Sequence, residues 1–324
     1  MLQLHDFEAA QQRIQPYIRK TPILPVSLVQ QRPTELGNLF LKLECLQVTG
    51  AFKARGALSK LFSFHPQAMQ RGIVAASGGN HGLAVAYAGW VAKVPTQIYL
   101  PKSAPPAKGE KLEKWGARVF WEGETWDDAN RAALNHADSE ELAYIHAFGD
   151  PEVIAGQGTI GLEILEQLPN VDVLFVAIGG GGLISGVATV AKILNPSIRI
   201  IGVEPTGAPT LLRSLESGQV VQLPEIQTVA NTLAPRKTTQ LNFEMVYRAV
   251  DQIVLVSDED MRQAAQWLWF EMGVGAELSG AAAMAALLTK KAAVSPDETV
   301  CVLVCGAGID GISLVEAQQA TMAI

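Results

Sequence analysis

The run Val173-Leu174-Phe175-Val176-Ala177-Ile178-Gly179-Gly180-Gly181-Gly182-Leu183-Ile184 decides how this chain folds. Its unbroken apolar first half reads as a strand buried on both faces, and Leu183 to Leu194 continues as an apolar helical run. The glycines between them leave backbone N–H groups bare at a helix N-terminus, where they converge on an anion such as a phosphate ester. A flexible linker would not be set between such a strand and such a helix. A nucleoside triphosphate site requires lysine and then serine or threonine after its glycines, and Leu183 and Ile184 stand there instead.

The same order recurs. Ile73-Val74-Ala75-Ala76 leads into Ser77-Gly78-Gly79-Asn80-His81-Gly82 and an alanine-rich helical run from Leu83 to Trp90. Val302-Leu303-Val304 leads into Cys305-Gly306-Ala307-Gly308. Gly306, Gly308 and Gly311 match a dinucleotide fingerprint, but that unit needs a further strand and an acidic residue about 20 residues on, and the sequence stops at Ile324. Strand and helix patterns alternate from about Leu39 onward, which gives the α/β class, with two open, twisted parallel-sheet α/β domains. The expected division is a large domain from 1–68 and 150–324 and a small, mobile domain from 69–149, without a C-terminal regulatory domain. The helix from Lys108 to Lys114 falls in the small domain, where Trp115, Trp121 and Trp126 read as packing residues.

One lysine stands out in Thr49-Gly50-Ala51-Phe52-Lys53-Ala54-Arg55-Gly56-Ala57. Taken alone, a lysine two residues before an arginine reads as a solvated helix face. At a helix start, beside an aromatic ring and in the company of three glycine turns, it reads instead as a desolvated amine that condenses with a carbonyl.

Composition sets the outer bounds. The 324 residues are 48% hydrophobic and 18% charged, which describes a globule large enough for two subdomains. A net charge of -7 without a basic patch argues against nucleic acid. No apolar signal core or membrane-length span is evident, and the scattered Cys45, Cys301 and Cys305 suit a reducing cytoplasm.

Together these residues resemble the pyridoxal-phosphate enzymes of the tryptophan-synthase β fold (fold type II), in the branch of threonine and serine dehydratases and serine racemase. The resemblance runs through Lys42-Leu43-Glu44, Gln47, Gly50 to Ala57, Ser77 to Gly82, Gly156-Gln157-Gly158-Thr159, Gly179 to Gly182, Val203-Glu204-Pro205, Glu277, Ser279-Gly280-Ala281 and Cys305-Gly306. Ala54 and His81 follow the dehydratase pattern rather than that of cysteine synthases. By this resemblance Lys53 binds the aldehyde of pyridoxal 5'-phosphate and later moves the Cα proton. Phe52 flanks the ring, Asn80 bonds its phenolic oxygen, and Gly179, Gly180, Gly181 and Gly182 cradle the phosphate. Ser77, Gly78, Gly79 and His81 belong to the loop that holds the substrate carboxylate, and Cys305 faces the pyridine nitrogen. A neutral thiol there cannot keep that nitrogen protonated as a carboxylate would, which suits β-elimination better than transamination.

Two departures refine the expectation. Racemases of this branch carry a second serine where this chain has Gly78, so the base on the opposite face of the substrate is missing. Relatives bind an activating cation through a glutamate and a later acid; Glu204 fits the first, but Thr210 replaces the second, so no divalent metal is expected and a monovalent ion stays open. The expected protein is a homodimeric ammonia-lyase that turns threonine or serine into a 2-oxo acid. A 3-hydroxyaspartate dehydratase, a serine racemase-like enzyme and a non-catalytic binding protein on the same fold are the alternatives.

Overall fold

Strands that are apolar along their whole length need cover on both faces, and parallel pairing with helical crossovers provides it. The computed structural model describes residues 2–33 and 37–312. Among them, β1 (Ile23–Pro25), β2 (Asn38–Leu43), β3 (Ile73–Ala76), β4 (Thr96–Leu100), β5 (Arg118–Trp121), β6 (Ala143–Tyr144), β7 (Val173–Ala177), β8 (Arg199–Pro205), β9 (Gln252–Val256) and β10 (Thr299–Val304) form two sheets. The six-stranded sheet has the order β1-β2-β10-β7-β8-β9 and the four-stranded sheet the order β5-β4-β3-β6. All pairs are parallel except β1 with β2, an edge addition that the alternation from Leu39 did not foretell.

β7 and β10 are neighbours in register, Phe175 facing Val302, so the turn after Ala177 and the turn after Val304 emerge at the same end of one sheet. The turn after β3 emerges from the smaller sheet. Ligands of open α/β sheets bind outside the carboxyl ends of strands, and all three glycine turns lie at such ends.

Two helices link the sheets. Lys53–Leu61 buries Ala54, Ala57, Leu58 and Leu61 in one apolar cluster with Ile73 and Ile98 of the smaller sheet and Val85 of the helix Asn80–Ala92. Its other side lies so close to the helix Pro151–Gln167 that a Cβ on Gly156 would sit 2.7 Å from the Gly56 Cα. The larger sheet buries Leu41, Phe175, Ile201 and Val302 beneath the helices Gly182–Leu194 and Leu278–Leu288. The tryptophans around the four-stranded sheet pack: Trp115 stacks edge-on with Tyr87 and Trp90, and Trp126 donates to the Ala76 carbonyl at 2.9 Å.

Candidate active site

Lys53 is the first residue of its helix, and the backbone before it is tied to the Cys305 turn. Phe52 N–H donates to Cys305 O at 3.2 Å and Ala307 N–H to Gly50 O at 2.7 Å. That pairing needs a tight reversal, which Thr49 and Gly50 make at φ 61° and 80°; the threonine, being β-branched, holds this conformation under strain. The Lys53 Nζ donates to the Ala147 carbonyl at 2.7 Å and lies 5.1 Å from the centre of the Phe52 ring. Burial pulls its pKa down to about 8, against the opposing pull of Cys305 and Glu277. An amine of that kind is available as a nucleophile and base near neutral pH.

The turn after β3 presents Ser77, whose hydroxyl accepts the Gly79 N–H at 3.2 Å. Gly78 leaves no room for a side chain without movement, since a Cβ would lie 3.0 Å from Leu100 Cδ2 and 3.1 Å from Lys108 Cδ. Asn80 opens the next helix, and its Nδ2 donates to Glu277 Oε1 at 2.7 Å. His81 is buried with Nε2 2.9 Å from Ile145 O; burial first, then Lys53, pushes its pKa down to about 3, so the neutral ring donates to that carbonyl.

The four glycines after β7 form the mouth of the helix Gly182–Leu194. Gly181 has φ +95°, a Cβ on Gly180 would land in the Phe148 ring, and one on Gly179 would lie 2.8 Å from Thr232 O. Asn242 Nδ2 and Thr238 Oγ1 hold the Gly180 carbonyl at 2.8 and 2.9 Å. The opening N–H groups of a helix have no intrahelical acceptor and attract an anion. Across the neighbouring strand end, the buried Cys305 thiol donates to Ser279 O at 3.6 Å, and burial pushes its pKa up, so it stays protonated.

An amine of lowered pKa, a side-chain-free cradle at a helix N-terminus and a neutral thiol at a strand end therefore converge. Their chemistry fits an aldehyde-bearing aromatic phosphate ester, with Lys53 for the aldehyde, Gly179 to Gly182 for the phosphate and Cys305 for a ring nitrogen.

Some participants had no role assigned from the sequence, among them Glu277, which stood in the resembling motifs, and His146, which did not. Glu277, the N-cap of the helix Leu278–Leu288, accepts from Asn80 and, at 3.3 Å, from Thr232 Oγ1; burial raises its pKa to about 7. His146 Nδ1 accepts from the N–H groups of Phe148 and Gly149 at 3.1 and 2.7 Å, and burial beside Lys53 pulls it down to about 4. Arg55, expected on a solvated face if read alone, is wholly buried. It reaches both oxygens of Glu44 at 2.7 and 2.8 Å and both of Glu163 at 2.7 and 3.0 Å. Glu204 accepts the N–H groups of Leu211 and Leu212 at 2.8 and 2.9 Å, while the Thr210 hydroxyl donates to Pro235 O at 2.7 Å. Among the described residues no group of three or more His, Cys, Asp or Glu side chains is arranged to hold a metal ion.

Comparison with known proteins gives consistent findings. The family model described as pyridoxal-phosphate dependent enzyme matches residues 14–306. An L-threonine ammonia-lyase of Thermotoga maritima is 38% identical over 310 residues, spanning 96% of this chain and 76% of that relative. Among solved structures, maize serine racemase superposes with a TM-score of 0.89 at 33% identity, covering 99% of this chain and 97% of that one. The processed form of threonine deaminase isoform 2 from Solanum lycopersicum gives 0.90 at 31% identity, covering 98% and 86%.

Proposed function

The chain belongs to the family of pyridoxal-phosphate dependent enzymes, and from that membership we propose that it is a threonine and serine dehydratase. It eliminates water from the β-hydroxy amino acid and releases ammonia with 2-oxobutanoate or pyruvate. The observation that supports this reading most is Lys53: a desolvated amine whose pKa falls to about 8, donating to Ala147 O within the electrostatic reach of the neutral Cys305 thiol.

When bound, the cofactor withdraws electrons from the Cα of an attached amino acid. The N–H groups of Gly179 to Gly182 would hold its phosphate at the helix mouth, and the Phe52 ring would flank its aromatic ring. Ser77 and the backbone of Gly78 and Gly79 hold the substrate carboxylate. His81 keeps its Nε2 proton on Ile145 O and therefore shapes this loop without moving a proton. The free Lys53 amine would take the Cα proton and pass it to the departing β-hydroxyl, which leaves as water. Cys305, neutral and weakly donating, would face the ring nitrogen without keeping it protonated, which suits loss of the β-hydroxyl better than reprotonation at Cα.

Racemisation needs an acid on the other side of Cα. The loop position at which racemases of the resembling branch carry a second serine is Gly78, walled by Leu100 and the aliphatic stem of Lys108. The same reading makes the protein a cytoplasmic homodimer. The free, buried Cys45, Cys301 and Cys305 suit a reducing compartment, and exposed Tyr247 and Phe270 offer apolar surface for a second copy. No helix among the described residues is long and apolar enough to cross a membrane.

The test is a panel of L- and D-threonine, L- and D-serine and the 3-hydroxyaspartate stereoisomers, with ammonia, 2-oxo acid and residual enantiomer measured together. Ammonia and 2-oxobutanoate or pyruvate should form in equal amounts from the L-isomers, without the D-isomer accumulating. Release from 3-hydroxyaspartate alone, or D-serine in excess of pyruvate, would replace this reading with one of its alternatives.

A further inference from the structure

Glu277 bonds Asn80, a residue of the proposed cofactor site, and the chemistry described so far gives it no task. It caps the helix Leu278–Leu288, approaches so closely that a Cβ on Gly306 would collide with its Oε1, and spends that same oxygen on Asn80 Nδ2 and Thr232 Oγ1. Asn80 comes from the smaller lobe, Thr232 and Glu277 from the larger.

An asparagine amide has a donor end and an acceptor end, and its neighbours decide which way it points. An ionised carboxylate can only accept, so it draws the Asn80 nitrogen toward itself and fixes the amide plane. The nitrogen's second N–H is then directed elsewhere in a defined orientation. A protonated Glu277 could instead donate to Asn80 Oδ1, and the amide would turn over. We propose that Glu277 is a positioning residue: its carboxylate locks the Asn80 amide so that an N–H, and not the carbonyl, is offered to the phenolic oxygen of the bound cofactor. The inference rests on the pyridoxal-phosphate reading of the cleft and on Asn80 facing that oxygen.

The lock has a pH sign. Burial raises the Glu277 pKa to about 7, aided by Asp310 and opposed by the bonds from Asn80 and Thr232 and by Lys53. The ionised, locking form prevails above that value and is lost as pH falls through it. The other titratable groups around the site behave differently. His81 and His146 are held neutral to about 3 and 4, Lys53 lies near 8, and the Cys305 thiol is pushed up. Asp310 accepts the Leu278 N–H at 3.1 Å just behind Glu277.

The test follows the visible absorbance of the cofactor bound to the whole protein, and cofactor affinity, between about pH 6 and 8. In the parent both should change with a midpoint near 7. In Glu277→Gln, which keeps the shape but can bond Asn80 in either orientation, that transition should vanish and affinity should fall by about tenfold, or about 1.4 kcal/mol. Thr232→Val removes one donor to the charged form and should shift the midpoint upward while the spectrum at high pH stays that of the parent. A transition unchanged in Glu277→Gln would overturn the inference, as would a midpoint unmoved in Thr232→Val. A parent that never develops a cofactor band would instead overturn the reading of Lys53, so the two failures are distinct.

Discussion

Lys53 and Arg55 stand on the same helix two residues apart, about 200° around its axis; Arg55 is wholly buried, while Lys53 is half-buried with its amine largely desolvated. One is left wanting and the other is saturated. Arg55 meets Glu44 and Glu163 in paired fashion and takes in the Thr159 hydroxyl at 3.1 Å. Lys42 joins Glu163 at 2.6 Å, and Thr21 donates to Glu44. Burial would raise the Glu44 pKa, but Arg55, Thr21 and Lys42 together hold the carboxylate below its usual range. Lys53 has a single carbonyl partner, and its pKa falls to about 8. Desolvation gives a rigid anchor where charges are matched and a reactive group where they are not.

Replacing Lys53 breaks the comparison on the reactive side. Lys53→Met should lower kcat for threonine by at least about 10³-fold, since the proton acceptor is gone, while circular dichroism stays that of the parent. The cofactor-free variant should also be more stable than the parent at neutral pH. Folded Lys53 titrates near 8 and the unfolded side chain near 10.5, so between those values the unfolded chain binds more protons and stability rises with pH. Below 8 the full burial penalty applies. Removing it should gain about 1–3 kcal/mol at pH 7, and that gain should shrink as pH climbs through the window, as urea unfolding at several pH values would measure. A destabilised Lys53→Met apoprotein would contradict the contrast.

On the anchoring side the sign is opposite. Arg55→Met leaves two buried carboxylates short of their partner, and loss of about 3–5 kcal/mol is expected from unfolding curves. Glu44→Gln in the same background should recover part of it by removing one stranded charge. Activity per folded molecule should fall far less than in Lys53→Met. A stability close to the parent's would mean that Lys42 and Thr21 suffice for both carboxylates.

This contrast also marks what the sequence could and could not tell. The strand–glycine–helix order was legible because it depends on local patterning: β3 and β7 lie where the apolar runs of Ile73 and Val173 place them, and both glycine turns lead into helices. The inward Arg55 was not, because periodicity identifies one apolar face of a helix, whereas this helix is buried on several and fills one of them with ions. Glu277 had a detectable signal, a lone acid directly before the uncharged run Leu278 to Leu288, which is too apolar to sit at a surface. Its bond to Asn80 joins residues 197 positions apart, and no local pattern encodes such a pair. His146 and Phe148 lie on an irregular connection after β6, where side-chain direction follows from tertiary packing alone.

Glu204 sharpens the comparison with a third kind of burial and the smallest expected effect. It is wholly buried without a cation, held by backbone N–H groups at the start of the helix Thr210–Ser217, and burial raises its pKa to about 8 despite those bonds. At neutral pH it therefore carries a proton in the main, and a divalent ion would have to displace it and find a second acid where Thr210 supplies a hydroxyl already given to Pro235. Millimolar Ca²⁺ or Mg²⁺, or EDTA, should change the unfolding free energy by less than about 0.4 kcal/mol, the value reached when a ligand equals its own Kd. Thr210→Asp should reverse this: two carboxyl groups in one buried place weaken the fold without a cation and regain stability as Ca²⁺ is added. Clear stabilisation of the parent by Ca²⁺ would show that Glu204 ionises for a ligand as readily as Glu44 does beside Arg55, and that hydrogen bonds from the backbone can replace a matched charge.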